Sequence, residues 1–476
     1  MADDLATLDA TAQADLVRRG ELTPHELVEA GIERIERVDP EIGSVAIRLF
    51  DRARHDTSAQ SPPGAFPGVP TVVKDTVPTA GDPWHRGMAL LRAVDHHATT
   101  ESHVVTRMRE SGLVIVGKAN VGELEGGITT EPVAYGPTRN PWDLRLSVGG
   151  SSGGPAAAVA AGLVPLALGV DGGGSIRIPA SVCGVVGLKP SRGRTSLHPL
   201  FIEDGASTAG LLTRTVRDSA RGLDAIAGSP HGDHFIAPPP ARPYADEVGA
   251  DPGRLRIGVW SPVPGGVTAH DDCRTAADET ARVLESLGHN IEVSHPAELD
   301  SGFFHTPDFV VSAACHIAYQ IRQIEAELGR TVTADEVEPV TWAAVSAASG
   351  VAATSLQRSL ALNREAGVRY ASWWDSGGFD ILLTPTIAVL PYPLGALTQS
   401  SPDQPWPDIV SWVPFTPHAN LAGLPAISLP LHWNAEGHPI GTQLVARYGR
   451  EDLLLRVASQ LEAARPWAHR RPPTHA

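Results

Sequence analysis

An α/β fold is the first expectation from this 476-residue sequence, and three features carry it. A capped amphipathic helix opens the chain, short apolar runs of strand length follow, and the same alternation resumes after a long Pro- and Gly-rich interruption. Composition agrees, because 42% hydrophobic and 19% charged residues lie in the ordinary globular range.

Thr23-Pro-His-Glu26 has the Thr and Glu of a capping box with Pro at the first helical position, and Leu27, Ile32, Ile35 and Val38 continue as a helical stripe. Thr71 to Val73 and Leu113 to Val116 are apolar runs suited to buried strands, the second after a helix-like stretch that stops at Gly112. Between Gly149 and Gly187 lie 11 of the 47 glycines, a density that calls for close approach of backbones. Within it, Pro155-Ala-Ala-Ala-Val-Ala-Ala161 predicts a helix with Pro at its first position, and Val164 to Val170 predicts a strand. Ser229 to Arg254, with Pro238-Pro-Pro240, reads as a surface connection. Beyond it, Leu255 to Trp260 reads as a strand, Asp271 to Leu287 as a helix, Ile291 to Val293 as a strand and Ile387 to Pro414 as a covering loop. The expected organisation is one domain over residues 1–476. Residues 60–228 form its motif-bearing core, 229–254 the connection, and 255–476 the rest of the fold with substrate-pocket elements.

Several function classes are disfavoured at once. A formal net charge of -16, spread along the chain, repels polyphosphate and argues against nucleic acid as a partner. No run of about 18 apolar residues could span a bilayer. The opening MADDLATLDA lacks a basic, then apolar, secretory pattern, so a cytoplasmic location is expected. Cys183, Cys273 and Cys315 are few and far apart, and predict neither a disulfide framework nor a zinc site. Of 38 basic residues only Lys74, Lys118 and Lys189 are lysines, the other 35 being arginines. Lysine can lose its proton when buried and arginine cannot, so a position that keeps Lys in so arginine-rich a chain is a candidate base, steric fit being the simpler alternative.

Two glycine-rich segments carry serines. In Gly149-Gly-Ser-Ser-Gly-Gly154 the serines sit where a loop enters a helix. In Asp171-Gly-Gly-Gly-Ser175 a run without side chains can turn several backbone N–H groups toward one point, as an oxyanion hole requires. Either segment by itself could equally be a tight turn. Phosphate binding is disfavoured, because the G-x-x-x-x-G-K-[ST] pattern is missing and an acid opens the loop.

Together with Gly68-Val-Pro-Thr-Val-Val-Lys-Asp75, and in that order, these segments resemble the amidase signature family. The resemblance continues through Cys183-Gly-Val-Val-Gly-Leu-Lys-Pro190, Leu382-Leu-Thr-Pro-Thr386 and Asn420-Leu-Ala-Gly-Leu-Pro-Ala426 to Gly441-Thr-Gln443, over nearly the whole chain. It implies an α/β fold with a central mixed, twisted sheet covered by helices on both faces. It also implies hydrolysis of a carboxamide through a serine acyl-enzyme, with no cofactor and no metal. Position by position, Ser175 matches the nucleophile, Ser151 the proton-relaying serine after a cis Gly150-Ser151 bond, and Lys74 the base. Gly172, Gly173 and Gly174, with Ser175, match the oxyanion hole, and Ser152, Asp171 and Arg177 match supporting positions. Lys118 and Lys189 match no catalytic position. Segments 304–321 and 409–420 align with acyl-pocket regions, making Cys315, His316 and His418 candidate substrate contacts.

Gly172, Pro155, His418 and Ala419 depart from common family patterns, which bears on substrate fit rather than on chemistry. Through Thr129-Thr-Glu-Pro132, Pro137-Thr-Arg-Asn-Pro-Trp142, Ser191-Arg-Gly-Arg194 and Gly449-Arg-Glu-Asp-Leu-Leu-Leu455 the chain resembles stand-alone amidases, a resemblance that implies a small cyclic or linear amide as substrate. The partner expected is then a small-molecule amide, and a homodimer would be unsurprising. One alternative is the amidase subunit of a tRNA-dependent amidotransferase. Another is an α/β-hydrolase elbow with Ser152 as nucleophile and His418 or His438 as its histidine, which needs a buried strand where Asp143 to Val148 places charge.

Overall fold

Thr23 begins the long first-segment helix as its sequence requires. Its hydroxyl accepts the Glu26 N–H at 3.2 Å while the Glu26 carboxylate accepts the Thr23 N–H at 2.8 Å, and the helix Pro24–Ile42 ends at Gly43 with φ +72°. The structure is a computed structural model that describes residues 2–58, 64–200, 205–263, 266–301, 307–397 and 412–476.

Thirteen strands are found among the described residues. They are β1 (Val45–Arg48), β2 (Pro70–Lys74), β3 (Val114–Ala119), β4 (Arg139–Asn140), β5 (Asp143–Ser147), β6 (Leu166–Asp171), β7 (Val186–Lys189), β8 (Thr208–Thr213), β9 (Arg256–Val259), β10 (Asn290–Val293), β11 (Ile381–Pro385), β12 (Ala426–Trp433) and β13 (Pro439–Ala446). Eleven form one sheet in the order β1-β3-β2-β6-β8-β7-β12-β13-β11-β9-β10, while β4 and β5 pair separately. The sheet is mixed: β3, β2 and β6 run parallel, as do β11, β9 and β10, and the remaining neighbours are antiparallel. Strands from both sides of the 229–254 connection therefore share one sheet.

The central strands β2, β3, β6, β7, β8, β11 and β13 are buried on both faces, which explains their continuous apolar runs. Val73, Leu168 and Leu211 join a core that includes Val105 and Met108 of the helix His103–Glu110 and Leu223 of the helix Val216–Ile226. Their neighbours Val72, Ala167 and Leu212 face the opposite core, with Ile32, the alanines of the helix Gly153–Ala160, and Ile178. Each fully buried Val or Leu of this kind stabilises the fold by about 1.5–3 kcal/mol.

Several element boundaries differ from the sequence reading by one to three residues, and two have a local physical reason. β3 runs on through Gly117 and Lys118 to Ala119, because a Cβ at Gly117 would stand 2.8 Å from the Ile47 carbonyl oxygen, so only glycine lets β1 approach. The alanine-rich helix begins at Gly153, which places Pro155 third rather than first. Proline is tolerated there because N–H groups of a first turn have no helical acceptor. Gly154 is needed because its Cβ would meet Asn120 N and O at 2.5 and 2.4 Å. No described helix is long and apolar enough to cross a membrane. Residues 398–411 of the anticipated covering loop lie outside the described residues.

Candidate active site

Three parallel strands finish on one edge of the sheet. β3 leads into the turn Gly122–Gly126, β2 ends in Lys74, and β6 ends in Asp171 at the start of the glycine loop. Such carboxyl ends of parallel strands are where open α/β sheets place ligand sites.

Lys74 is fully buried and its Nζ donates to Ser151 Oγ at 2.9 Å and to the Val170 carbonyl at 3.3 Å. Ser151 is also fully buried and follows a cis Gly150-Ser151 bond. Thr130 clamps this serine loop. Its hydroxyl lies 2.9 Å from the Gly149 carbonyl oxygen and accepts the Gly153 N–H at 3.1 Å. A Cβ at Gly150 would stand 2.3 Å from the Thr129 carbonyl oxygen, so this glycine is dictated by close approach. The two serine loops are tied together where Ser152 N–H donates to the Ser175 carbonyl at 3.1 Å. Ser175 itself is half-buried, so accessibility falls from Ser175 to the enclosed Ser151 and Lys74.

The glycine loop is wound around the Asp171 carboxylate, which accepts N–H bonds from Gly174 at 2.7 Å and Ile176 at 3.2 Å. Arg177 clasps the same carboxylate through Nε and Nη2, both at 2.9 Å, and donates further to the Thr416 carbonyl, Gln443 Oε1 and Asn420 Oδ1. Burial alone would raise the Asp171 pKa, but the charge and hydrogen bonds of Arg177 hold it well below the usual carboxylate range. Gly174 has φ +130°, and a Cβ there would stand 2.3 Å from Thr416 Oγ1, so no other residue fits.

This geometry divides the expected oxyanion donors. The Gly174 amide is committed to Asp171, whereas no acceptor among the described residues engages the amides of Gly172, Gly173 or Ser175. A Cβ on Gly173 would meet nothing within 4 Å, which places that residue against open space. Ser152 is enclosed: its hydroxyl donates to the Val170 carbonyl at 3.1 Å and accepts the Val170 N–H at 3.3 Å. The elbow alternative therefore fails on access, and β5 before it belongs to the half-buried pair with β4 rather than to the main sheet.

One contact was not foreseen from sequence. Glu125 Oε2 stands 3.1 Å from Lys74 Nζ. Burial pushes the Lys74 pKa down, opposed by the charge and hydrogen bond of Glu125 and by the charge of Asp171, and the balance stays below the ordinary lysine value. Gln443, Asn420 and Thr416 were likewise not assigned roles. Asn420 and Gln443 stand in segments that carry the family resemblance and Thr416 in the 409–420 segment, but their hydrogen bonds to Arg177 are invisible without the fold.

Cys315 and His316 are half-buried on the helix Pro307–Leu328. Ile317 of that helix packs against the turn that bears Glu125, its Cδ1 standing 3.5 Å from where a Cβ of Gly126 would lie. His418 is buried, with Nε2 at 3.0 Å from the Glu298 carbonyl oxygen and its ring stacked on Tyr370 at 5.2 Å. Burial pushes its pKa down to about 4. His438, in the turn between β12 and β13, has its Nε2 3.9 Å from an Asp143 carboxylate oxygen of β5. Residues 304–306 and 409–411 of the anticipated pocket are outside the described residues. Among the described residues no group of three or more His, Cys, Asp and Glu side chains is arranged to hold a metal ion.

Comparison with known proteins agrees with this geometry. The Amidase family model matches residues 26–455. The 6-aminohexanoate-cyclic-dimer hydrolase of Pseudomonas sp. (strain NK87) is 43% identical over 477 residues, covering 98% of this chain and 96% of the relative. The structure of a 6-aminohexanoate cyclic dimer hydrolase complexed with substrate superimposes with a TM-score of 0.93 and 41% identity, covering 99% of this chain and all of that one. A bacterial aryl acylamidase of the amidase signature enzymes superimposes with a TM-score of 0.88 at 25% identity, over 97% of each chain.

Proposed function

The chain belongs to the amidase signature family and is an amidohydrolase, and from that premise we propose that it works through Ser175, Ser151 and Lys74 on small aliphatic amides. Neutral Lys74 accepts the proton of Ser175 through the Ser151 hydroxyl, and Ser175 attacks the carbonyl carbon. The negative charge that develops on the carbonyl oxygen is met by the amides of Gly172, Gly173 and Ser175. The proton returns along the same path to the leaving nitrogen, the amine departs, and water attacks the Ser175 ester with the relay again accepting a proton.

The single observation that carries this reading is the 2.9 Å bond between two fully buried groups, Lys74 Nζ and Ser151 Oγ, next to the more accessible Ser175. A lysine kept from water favours its neutral form, and one hydroxyl on it supplies an outlet for a proton. The similarity to 6-aminohexanoate-cyclic-dimer hydrolase supports a substrate of ω-amino-acid character, cyclic or linear. Cys315 and His316, on the helix packed beside the Glu125 turn, are the proposed substrate-side contacts.

The test is product amine release from a panel containing the 6-aminohexanoate cyclic dimer, its linear counterpart and simple aliphatic amides. Wild type is expected to turn over at least one, while folded Ser175→Ala and Lys74→Ala lose that activity. Full activity in Ser175→Ala would refute the nucleophile assignment.

A further inference from the structure

We propose that Glu125 is a positioning residue that sets the pH at which Lys74 becomes a base, by stabilising the ammonium form of the lysine against its burial. The inference rests on the reading of Lys74 as that base.

Glu125 reaches the lysine from a different strand end than either serine. It sits in the turn after β3, where Leu124 has φ +49° and Glu125 φ +61°. Two adjacent non-glycine residues in this left-handed region are uncommon, and such backbone persists where surrounding structure fixes it. Here the fixing is visible. Leu124 is buried in an apolar cluster with Met88 and Ile317, its N–H donates to the Arg86 carbonyl at 3.0 Å, and Gly126 N–H donates to the Glu123 carbonyl at 2.9 Å. The turn directs the Glu125 carboxylate inward, leaving its side chain 22% exposed while Lys74 is 0% exposed.

The charges around Lys74 differ in how they act. Ser151 Oγ and the Val170 carbonyl are neutral acceptors. Asp171, from the end of β6, acts from farther off and is already clasped by Arg177, with Lys189 also acting on it. Asp75, next along the chain from Lys74, takes the Gly87 N–H at 3.3 Å and the charge of Lys118. Among the described residues, Glu125 is thus the one carboxylate within ion-pair distance of Lys74 Nζ. An opposite charge at such range favours the ammonium form while burial disfavours it. Lys74 must shed the proton that Glu125 retains before it can accept one from the serines, so Glu125 raises the pH at which the site becomes competent.

The experiment is the pH dependence of kcat/KM for wild type, Glu125→Gln, Glu125→Asp and Lys74→Ala, on an amide that wild type hydrolyses. In parallel, the rate of Ser175 sulfonylation by phenylmethanesulfonyl fluoride is followed over the same pH range. The expected result is an acid limb lowered by about one pH unit or more in Glu125→Gln, a tenfold fall in proton affinity, in both assays. Glu125→Asp, one methylene shorter, lowers it less and serves as the test should the Gln variant not fold. An unmoved limb, alone or with a raised KM, overturns the proposal while an inactive Lys74→Ala leaves the base assignment intact. Wild-type activity in Lys74→Ala overturns the base assignment and the proposal with it.

Discussion

Lys74 and Lys118 lie on neighbouring parallel strands, one register step apart, with Val73 opposite Lys118 and Lys74 opposite Ala119. Both are fully buried, and burial pushes both pKa values down, Lys118 to about 8. Their partners differ. Lys118 donates to the Val77 carbonyl and stands 3.5 Å from Thr79 Oγ1, under the charge of Asp75. Lys74 donates to Ser151 Oγ, beside the loop that carries Ser175. A buried lysine is thus not a base by virtue of its pKa alone. It also needs a hydroxyl that can both give and receive a proton, and a reacting group at the far end.

The contrast can be broken most forcefully at Lys74. Lys74→Ala or Ser175→Ala should cost about 10⁴-fold or more in kcat, read as amine release, with the melting transition retained. Wild-type kcat/KM should rise with pH as Lys74 loses its proton. Because burial lowers that pKa, the limb should fall below the ordinary lysine value of about 10.4. Lys118→Met should show the reverse pattern. It removes the bond to the Val77 carbonyl and the positive charge acting on buried Asp75, costing about 1–3 kcal/mol in urea denaturation, while the folded fraction keeps a near wild-type kcat. A folded but inactive Lys118→Met would erase the distinction between the two lysines.

Smaller effects sharpen it. Gly174→Ala forces a Cβ onto Thr416 at φ +130°, a strain of about 1–3 kcal/mol, and should lower kcat more than KM changes by moving the nucleophile's loop. Ser152→Ala forfeits two bonds to Val170, costing about 1–3 kcal/mol of stability, and should retain most activity. A loss as deep as that of Ser175→Ala would revive Ser152 as nucleophile.

Much of this was legible in the sequence because it is local. The capping box, the apolar strand runs and the glycine loops depend on residues a few positions apart, and the rarity of lysine drew notice to three positions that all prove fully buried. Lys74, Ser151 and Ser175 entered through family resemblance. What escaped was non-local. Glu125 looked like any charged loop residue, and only the parallel alignment of β3 with β2 brings it to Lys74. A glycine run announces free amides without saying which one Asp171 will occupy, and here it takes that of Gly174. The helices Pro307–Leu328 and Pro339–Ala348 each open on a proline but lack the reciprocal Thr–Glu pattern of Pro24–Ile42, and Ala353–Gly377 has neither signal, so their limits are not legible in the sequence.

The central claim is that Ser175, served by Lys74 through Ser151, carries the acyl group. It is tested most directly by quenching the enzyme with acid during turnover of an amide and mapping the acylated peptide by mass spectrometry. The account predicts an acyl adduct on Ser175 in wild type and none in Lys74→Ala at the same time point. An adduct on Ser152, or one on Ser175 that forms equally fast without Lys74, would contradict it.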